Sequence, residues 1–257
     1  MVFSRKCLPL IADDELTSAM RSCGIRVGAG RPLVRDADIE ITLISATREA
    51  LPHDYRLLGA LAMWLDQHHS RVNVPRLRRI IQQTKPSTLE AAWWSTMATW
   101  LHPRDARWAS IKNLYTGSMI SLEGDLALSA MMRNRHGSDP RFDAGPLLIH
   151  AKLLRSRPQD VAAPEHLVQT HGTYRARVVH GTNHRTDTWA ELDHNADRPI
   201  AEVARAVGCT YESARSVVAD WRLARQASPA SPAAPPQEQA KTTSASSRST
   251  SGSGRRS

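Results

Sequence analysis

PIAEVARAVGCTYESARSVVADWRLAR, running from Pro199 to Arg225, reads as two short helices with a tight break between them. Ile200, Val203, Ala204 and Val207 recur at the helical period and give the first helix one apolar face. Pro199 suits a first turn, where the amide it lacks would have no partner anyway. Gly208 follows the last periodic residue and can adopt the left-handed conformation that ends a helix. Thr210 is placed to cap a second helix, with Glu212 and Ser213 in its first turn. That helix is expected to bury Ala214, Val217, Val218 and Trp221, with Leu223 as a further candidate.

Over about twenty-one residues this pattern resembles the helix-turn-helix family of DNA-binding proteins. The family places a small residue four before the turn glycine, here Ala204 before Gly208. Aliphatic residues stand at Val203 and Val207, and a small buried residue, Cys209, follows the glycine. Ala214 and Val217 fill the apolar positions six and nine beyond it. Two helices crossing steeply at a corner touch at the small residue, and a larger one would pry them apart. The resemblance implies that the second helix enters the major groove of a duplex. Its outward residues would be Thr210, Tyr211, Glu212, Arg215, Ser216 and Ala219, with Arg222 and Arg225 reaching phosphates. Arg215 suits guanine, Glu212 can accept from cytosine, and Thr210, Tyr211 and Ser216 can hold bases or phosphates.

Charge supports a polyanionic partner but places it unevenly. The 257 residues carry a net charge of +9. Counting Lys and Arg against Asp and Glu, residues 68–135 come to +6 and residues 151–185 to +4. The window 185–225 itself holds slightly more acids than bases, so flanking segments would have to supply phosphate contacts.

The remainder reads as mainly α. Helices are expected over Asp13–Met20, Asp36–Ala50, Asp54–His69, Pro75–Gln83, Ser87–Leu101, Arg104–Leu114 and Leu122–Met132. Shorter ones are expected over Glu165–His171, Tyr174–His180 and Thr186–Asn195, the last supporting the tandem helices through Trp189 and Leu192. In the Pro75 helix, Leu77, Ile80 and Ile81 face inward and Arg76, Arg78 and Arg79 largely outward; an open alternative makes it part of a winged-helix-like module. Ser87 with Glu90 three residues on has the form of a capping box. Trp93, Trp94, Met97 and Trp100 form a broad apolar face suited to a core. Gly145–Leu154 is the best candidate for β structure.

The expected organisation is therefore a multi-helix N-terminal domain (1–135), a connecting segment with short strands (136–163), a helix-turn-helix domain (164–225) and a disordered basic tail (226–257). The tail has almost no bulky apolar residue with which to offset its ordering entropy.

Other chemistry finds thinner support. Cys7, Cys23 and Cys209 make no pairable framework and no metal knuckle, which suits a reducing cytoplasm. Neither a secretory pattern nor an apolar run of spanning length is visible, so no membrane association is expected. His180 and His184 have ligand-like spacing without companion cysteines, and no metal or cofactor is expected. Asp38-Ile39-Glu40-Ile41 resembles the magnesium-binding half of a nucleotidyltransferase motif. Gly28 and Gly30 upstream are not an adjacent pair, however, and Gly117-Ser118 before Asp125 lacks the second acid. No catalytic residues are assigned.

The leading expectation is a sequence-specific double-stranded DNA-binding regulator, autoregulatory and antitoxin-like. It has a general likeness to the DNA-binding partners of bacterial toxin–antitoxin and abortive-infection loci. A protein partner from a neighbouring gene and a homodimer are further expectations. The alternatives are an interaction module that uses the helical pair as a scaffold and, behind it, a nucleotidyltransferase-like enzyme.

Overall fold

The computed structural model describes residues 10–11, 13–26, 36–155 and 157–227. Cys7, Gly28, Gly30 and the segment from residue 228 onward lie outside them. The described chain is mainly helical: α1 (Asp13–Ser22), α2 (Ile39–Ala50), α3 (Tyr55–His68), α4 (Val74–Gln83), α5 (Thr88–Leu101), α6 (Leu126–His136), α7 (Pro164–Thr170), α8 (Gly172–His180), α9 (His184–His194), α10 (Ile200–Val207) and α11 (Tyr211–Ala227). Strands β1 (Ile120–Ser121) and β2 (Leu147–Leu148) form one short parallel pair. No helix among the described residues is long and apolar enough to cross a membrane.

Helix starts follow their caps. Asp38, Asp54, Asn73, Ser87, Asp125 and Asn183 each accept a first-turn amide at the starts of α2, α3, α4, α5, α6 and α9. Ser87 accepts the Glu90 amide at 3.1 Å, and the Glu90 carboxylate accepts from the Arg48 guanidinium, Nε and Nη2 donating at 3.0 and 2.9 Å. A cation within reach is a strong partner for a nearly buried carboxylate.

Two apolar cores result. The larger joins α1 to α5, β2, α7 and α8 around Trp64, Trp93, Trp94 and Trp108, all fully buried. Trp100 sits at its margin under the Arg104 guanidinium, 4.3 Å from the ring centre. The smaller core gathers Leu192, Val203, Val207, Val218 and Trp221, with Trp189, Ile200 and Cys209 packed against it. Leu167 of α7 and Tyr174 of α8 belong to the larger core.

Several expectations need correction. Arg104–Leu114 forms two 3₁₀ segments, Ala106–Ser110 and Lys112–Leu114, because Asp105 turns its carboxylate back onto the Arg107 amide and guanidinium. The β structure expected over Gly145–Leu154 shrinks to the two residues of β2 and an isolated antiparallel bridge from His150 to Ser138. Both strands precede α9, so no wing accompanies the C-terminal helices among the described residues. Pro199 is the residue before the first turn of α10, in extended conformation. Leu223 is 65% exposed, because the helical period sets it on the outward face with Ser216 and Ala219.

Candidate nucleic-acid interface

α10 and α11 meet at a three-residue turn. Gly208 adopts φ 74°, ψ 36°, the left-handed state, and its amide closes on the Ala204 carbonyl at 2.8 Å. The Cys209 amide bonds the same carbonyl at 3.0 Å. The Thr210 hydroxyl then accepts the Ser213 amide at 3.1 Å and opens α11. Val203, Ala204, Val207, Ala214, Val217, Val218 and Trp221 are all buried, which is the pattern the apolar period requires. Trp221 is further anchored, its Nε1 donating to Asp193 at 2.9 Å. α9 packs beneath both helices.

The opposite side of α11 faces solvent. Thr210, Tyr211, Glu212, Arg215, Ser216, Ala219, Arg222 and Arg225 are all exposed, and Tyr211 is half uncovered at 51%. Among the described residues, α9 and α10 are the elements that pack most closely on this helix. Arg215 forms an exposed ion pair with Glu212, its Nε donating at 3.0 Å, and such pairs exchange readily because water screens them. Arg225 lies over the Trp221 ring, 4.8 Å from its centre.

Charge is distributed differently from its count along the chain. Arg78 is exposed as expected, but Arg76 and Arg79 turn inward. The guanidinium of Arg76, 4% exposed, donates through Nε to the Val207 carbonyl at 3.0 Å and through Nη2 to Ala206 at 2.8 Å. Arg79 bonds the Gly208 carbonyl. These are the carbonyls at the end of α10 that have no partner within the helix, and the negative end of the helix dipole favours cations there. The basic segment on α4 thus serves as the C-cap of a helix more than a hundred residues away.

Arg76 also enters a buried ionic network. Its Nη1 donates to Asp38 at 2.7 Å and to Glu40 at 2.6 Å. Arg177 grips the other side of Glu40 at 2.7 and 3.0 Å and holds Asp187 at 2.7 Å. Asn73 completes it, its amide donating to Glu40 and its side chain to Asp187, both at 2.8 Å. Burial opposes ionisation of Glu40, but Arg177 and Arg76 outweigh it and hold the carboxyl down at about 2. A hollow of about 230 Å³ opens over this network between α2, α8, α9 and α10.

This arrangement disposes of the motif read at residues 38–41. Asp38-Ile39-Glu40-Ile41 starts a helix instead of forming a strand, and both carboxylates are bound by arginine. Asp125 likewise caps α6. His180 ends α8 and His184 begins α9, on either side of the Gly181 turn. His68 is a core residue: its Nε2 donates to the Ala162 carbonyl at 3.1 Å, and its Nδ1 accepts from the Tyr174 hydroxyl at 2.8 Å.

No local signal points to this network, because the arginines that neutralise Asp38 and Glu40 lie far away in sequence. Comparison with family models, curated proteins and solved structures returns no match.

Proposed function

We propose that the protein is a sequence-specific double-stranded DNA-binding transcriptional regulator in which α10 and α11 form a helix-turn-helix and α11 reads the major groove. The observation that carries this reading is the two-sided character of α11. Ala214, Val217, Val218 and Trp221 are consumed by packing, while the eight residues from Thr210 to Arg225 suited to bases and phosphates are all exposed. Arg215 is the side chain suited to bidentate reading of guanine, and binding would exchange its weak pair with Glu212 for a base edge. Arg222 and Arg225, further along, suit phosphates. Control of its own promoter is the simplest antitoxin-like form of this activity.

The test is a selection of duplexes from a random pool, followed by anisotropy titration of the enriched sequence and of the protein's own promoter at several salt concentrations. A preferred sequence is expected, with affinity falling steeply as salt rises. Failure to enrich any duplex would remove the reading.

A second reading, an interaction module that uses the helical pair as scaffold, draws on the slight excess of acids over bases in residues 185–225. Such a module would bind its protein partner equally well with Arg215 replaced by alanine, and would not discriminate between duplexes.

A further inference from the structure

α9 crosses beneath α11, and its two ends meet that helix at different edges. In the last turn of α9, Asp193 accepts from Trp221 Nε1 at 2.9 Å. In the first turn, Arg185 pairs with Asp220, Nη1 to Oδ2 2.9 Å, the two side chains 55% and 45% exposed. Arg185 and Asp193 stand about 12 Å apart along α9, while Asp220 and Trp221 are consecutive and about 100° apart around α11.

The two edges of α11 differ in charge. Measured around the helix from Ala219 in the exposed face, Arg215 and Arg222 stand roughly 40° and 60° to one side, with Arg225 roughly 120° round. Leu223, Ser216 and Asp220 stand roughly 40°, 60° and 100° to the other side. On that second edge α11 places no base of its own. The cation there is Arg185, delivered by α9.

A helix with its side chains is about 10–12 Å across and the major groove about 12 Å wide, so a helix seated there has a phosphate strand along each edge. We infer that Arg185 holds the phosphates of the strand that Arg222 and Arg225 do not reach, so that α9 and α11 grip a duplex from both sides. The inference rests on the helix-turn-helix reading proposed above. Asp220 on the same edge would repel that strand, and Arg185 masks it. One nitrogen of the guanidinium faces the carboxylate. Arginine carries about five N–H donors in a planar fork, so one side chain can hold the carboxylate and a phosphate together.

Anisotropy titration of the full chain on the selected duplex tests this. Arg185→Ala should weaken every duplex about tenfold. It should also lower the salt slope by about one and leave base preference as in the parent. Adding Asp220→Asn should recover part of the loss, because the unmasked carboxylate no longer faces the backbone. Arg185→Lys keeps the charge and should retain most of the affinity. Single neutral methylphosphonates placed along either strand locate the contact. The position that weakens the parent but not Arg185→Ala should lie in one strand, and the equivalent position for Arg222→Ala in the other. Thermal melting checks that each variant keeps its fold. Parent affinity and salt slope in Arg185→Ala, or both contacts in one strand, overturn the inference. If Arg215→Ala still relaxes base preference in that case, the DNA-binding reading stands without it. A chain that selects no duplex removes both.

Discussion

The guanidinium of Arg76 on α4 donates to the carbonyl of Val207 at the end of α10, 3.0 Å away and 131 positions along the chain. With Arg79 on the Gly208 carbonyl and Asn73 on Asp187, this side chain ties the smaller core to the larger one. The same guanidinium bonds Asp38 and Glu40, so the position of α10, and with it of α11, is tied to the start of α2.

Breaking a buried ion pair from one side leaves its partner charged and unsatisfied, at a cost of roughly 3–5 kcal/mol. Arg76→Ala should therefore lower stability by several kcal/mol in urea unfolding followed by tryptophan fluorescence. Arg76→Lys keeps the charge but cannot serve two carbonyls and two carboxylates at once, and should fall between. A midpoint within error of the parent for Arg76→Ala would show that the junction is not held this way.

Gly208 should resist replacement. Its φ of 74° is left-handed, and a Cβ there would run into the Arg79 guanidinium. Gly208→Ala should cost about 1–2 kcal/mol from backbone strain alone, read as a lowered melting temperature. Gly208→Asn should cost less, because asparagine tolerates that conformation better, though it too must displace Arg79.

Arg215 and Arg222 should separate reading from holding. Both are exposed, so alanine at either should leave stability within about 0.5 kcal/mol of the parent. On the selected duplex Arg215→Ala should lose about 1–3 kcal/mol and relax preference at one base pair. Arg222→Ala should weaken all duplexes alike and reduce the salt slope by about one. Equal loss of preference in both variants would contradict the division.

His68 makes stability depend on pH. Burial lowers its pKa from 6.5 to about 4, so the folded state holds it neutral while the unfolded chain takes up a proton near 6.5. The contribution is fully present above pH 6.5, declines as pH falls through that window, and is gone below about 4. The loss is roughly 3 kcal/mol across the window. Glu40 adds a second decline in the same direction between its ordinary 4.5 and about 2. Melting temperatures from pH 7 to 4 should fall, and His68→Gln should flatten that slope while lowering the starting value. An unchanged slope in the variant would assign the effect elsewhere.

Local signals in the chain were sufficient for most of the helices. Periodic apolar residues with a capping aspartate, serine or asparagine ahead of them announce α2, α3, α5 and α9. Ala204, Gly208 and Thr210 announce the corner between α10 and α11, because caps, turns and periodicity act over a few residues. The outward side of α11 was legible for the same reason: once the buried positions are known, the helical period assigns the others. What no local signal could settle was the fate of charge. Arg76 and Arg79 look like any solvated basic helix until tertiary packing brings the uncapped carbonyls of α10 against them. Nothing beside Asp38 and Glu40 in sequence shows that Arg76 and Arg177 arrive from distant segments to hold them. Hydrogen bonds within a turn are specified by neighbours in sequence, whereas the neutralisation of a buried charge depends on which remote group the folded chain delivers to it.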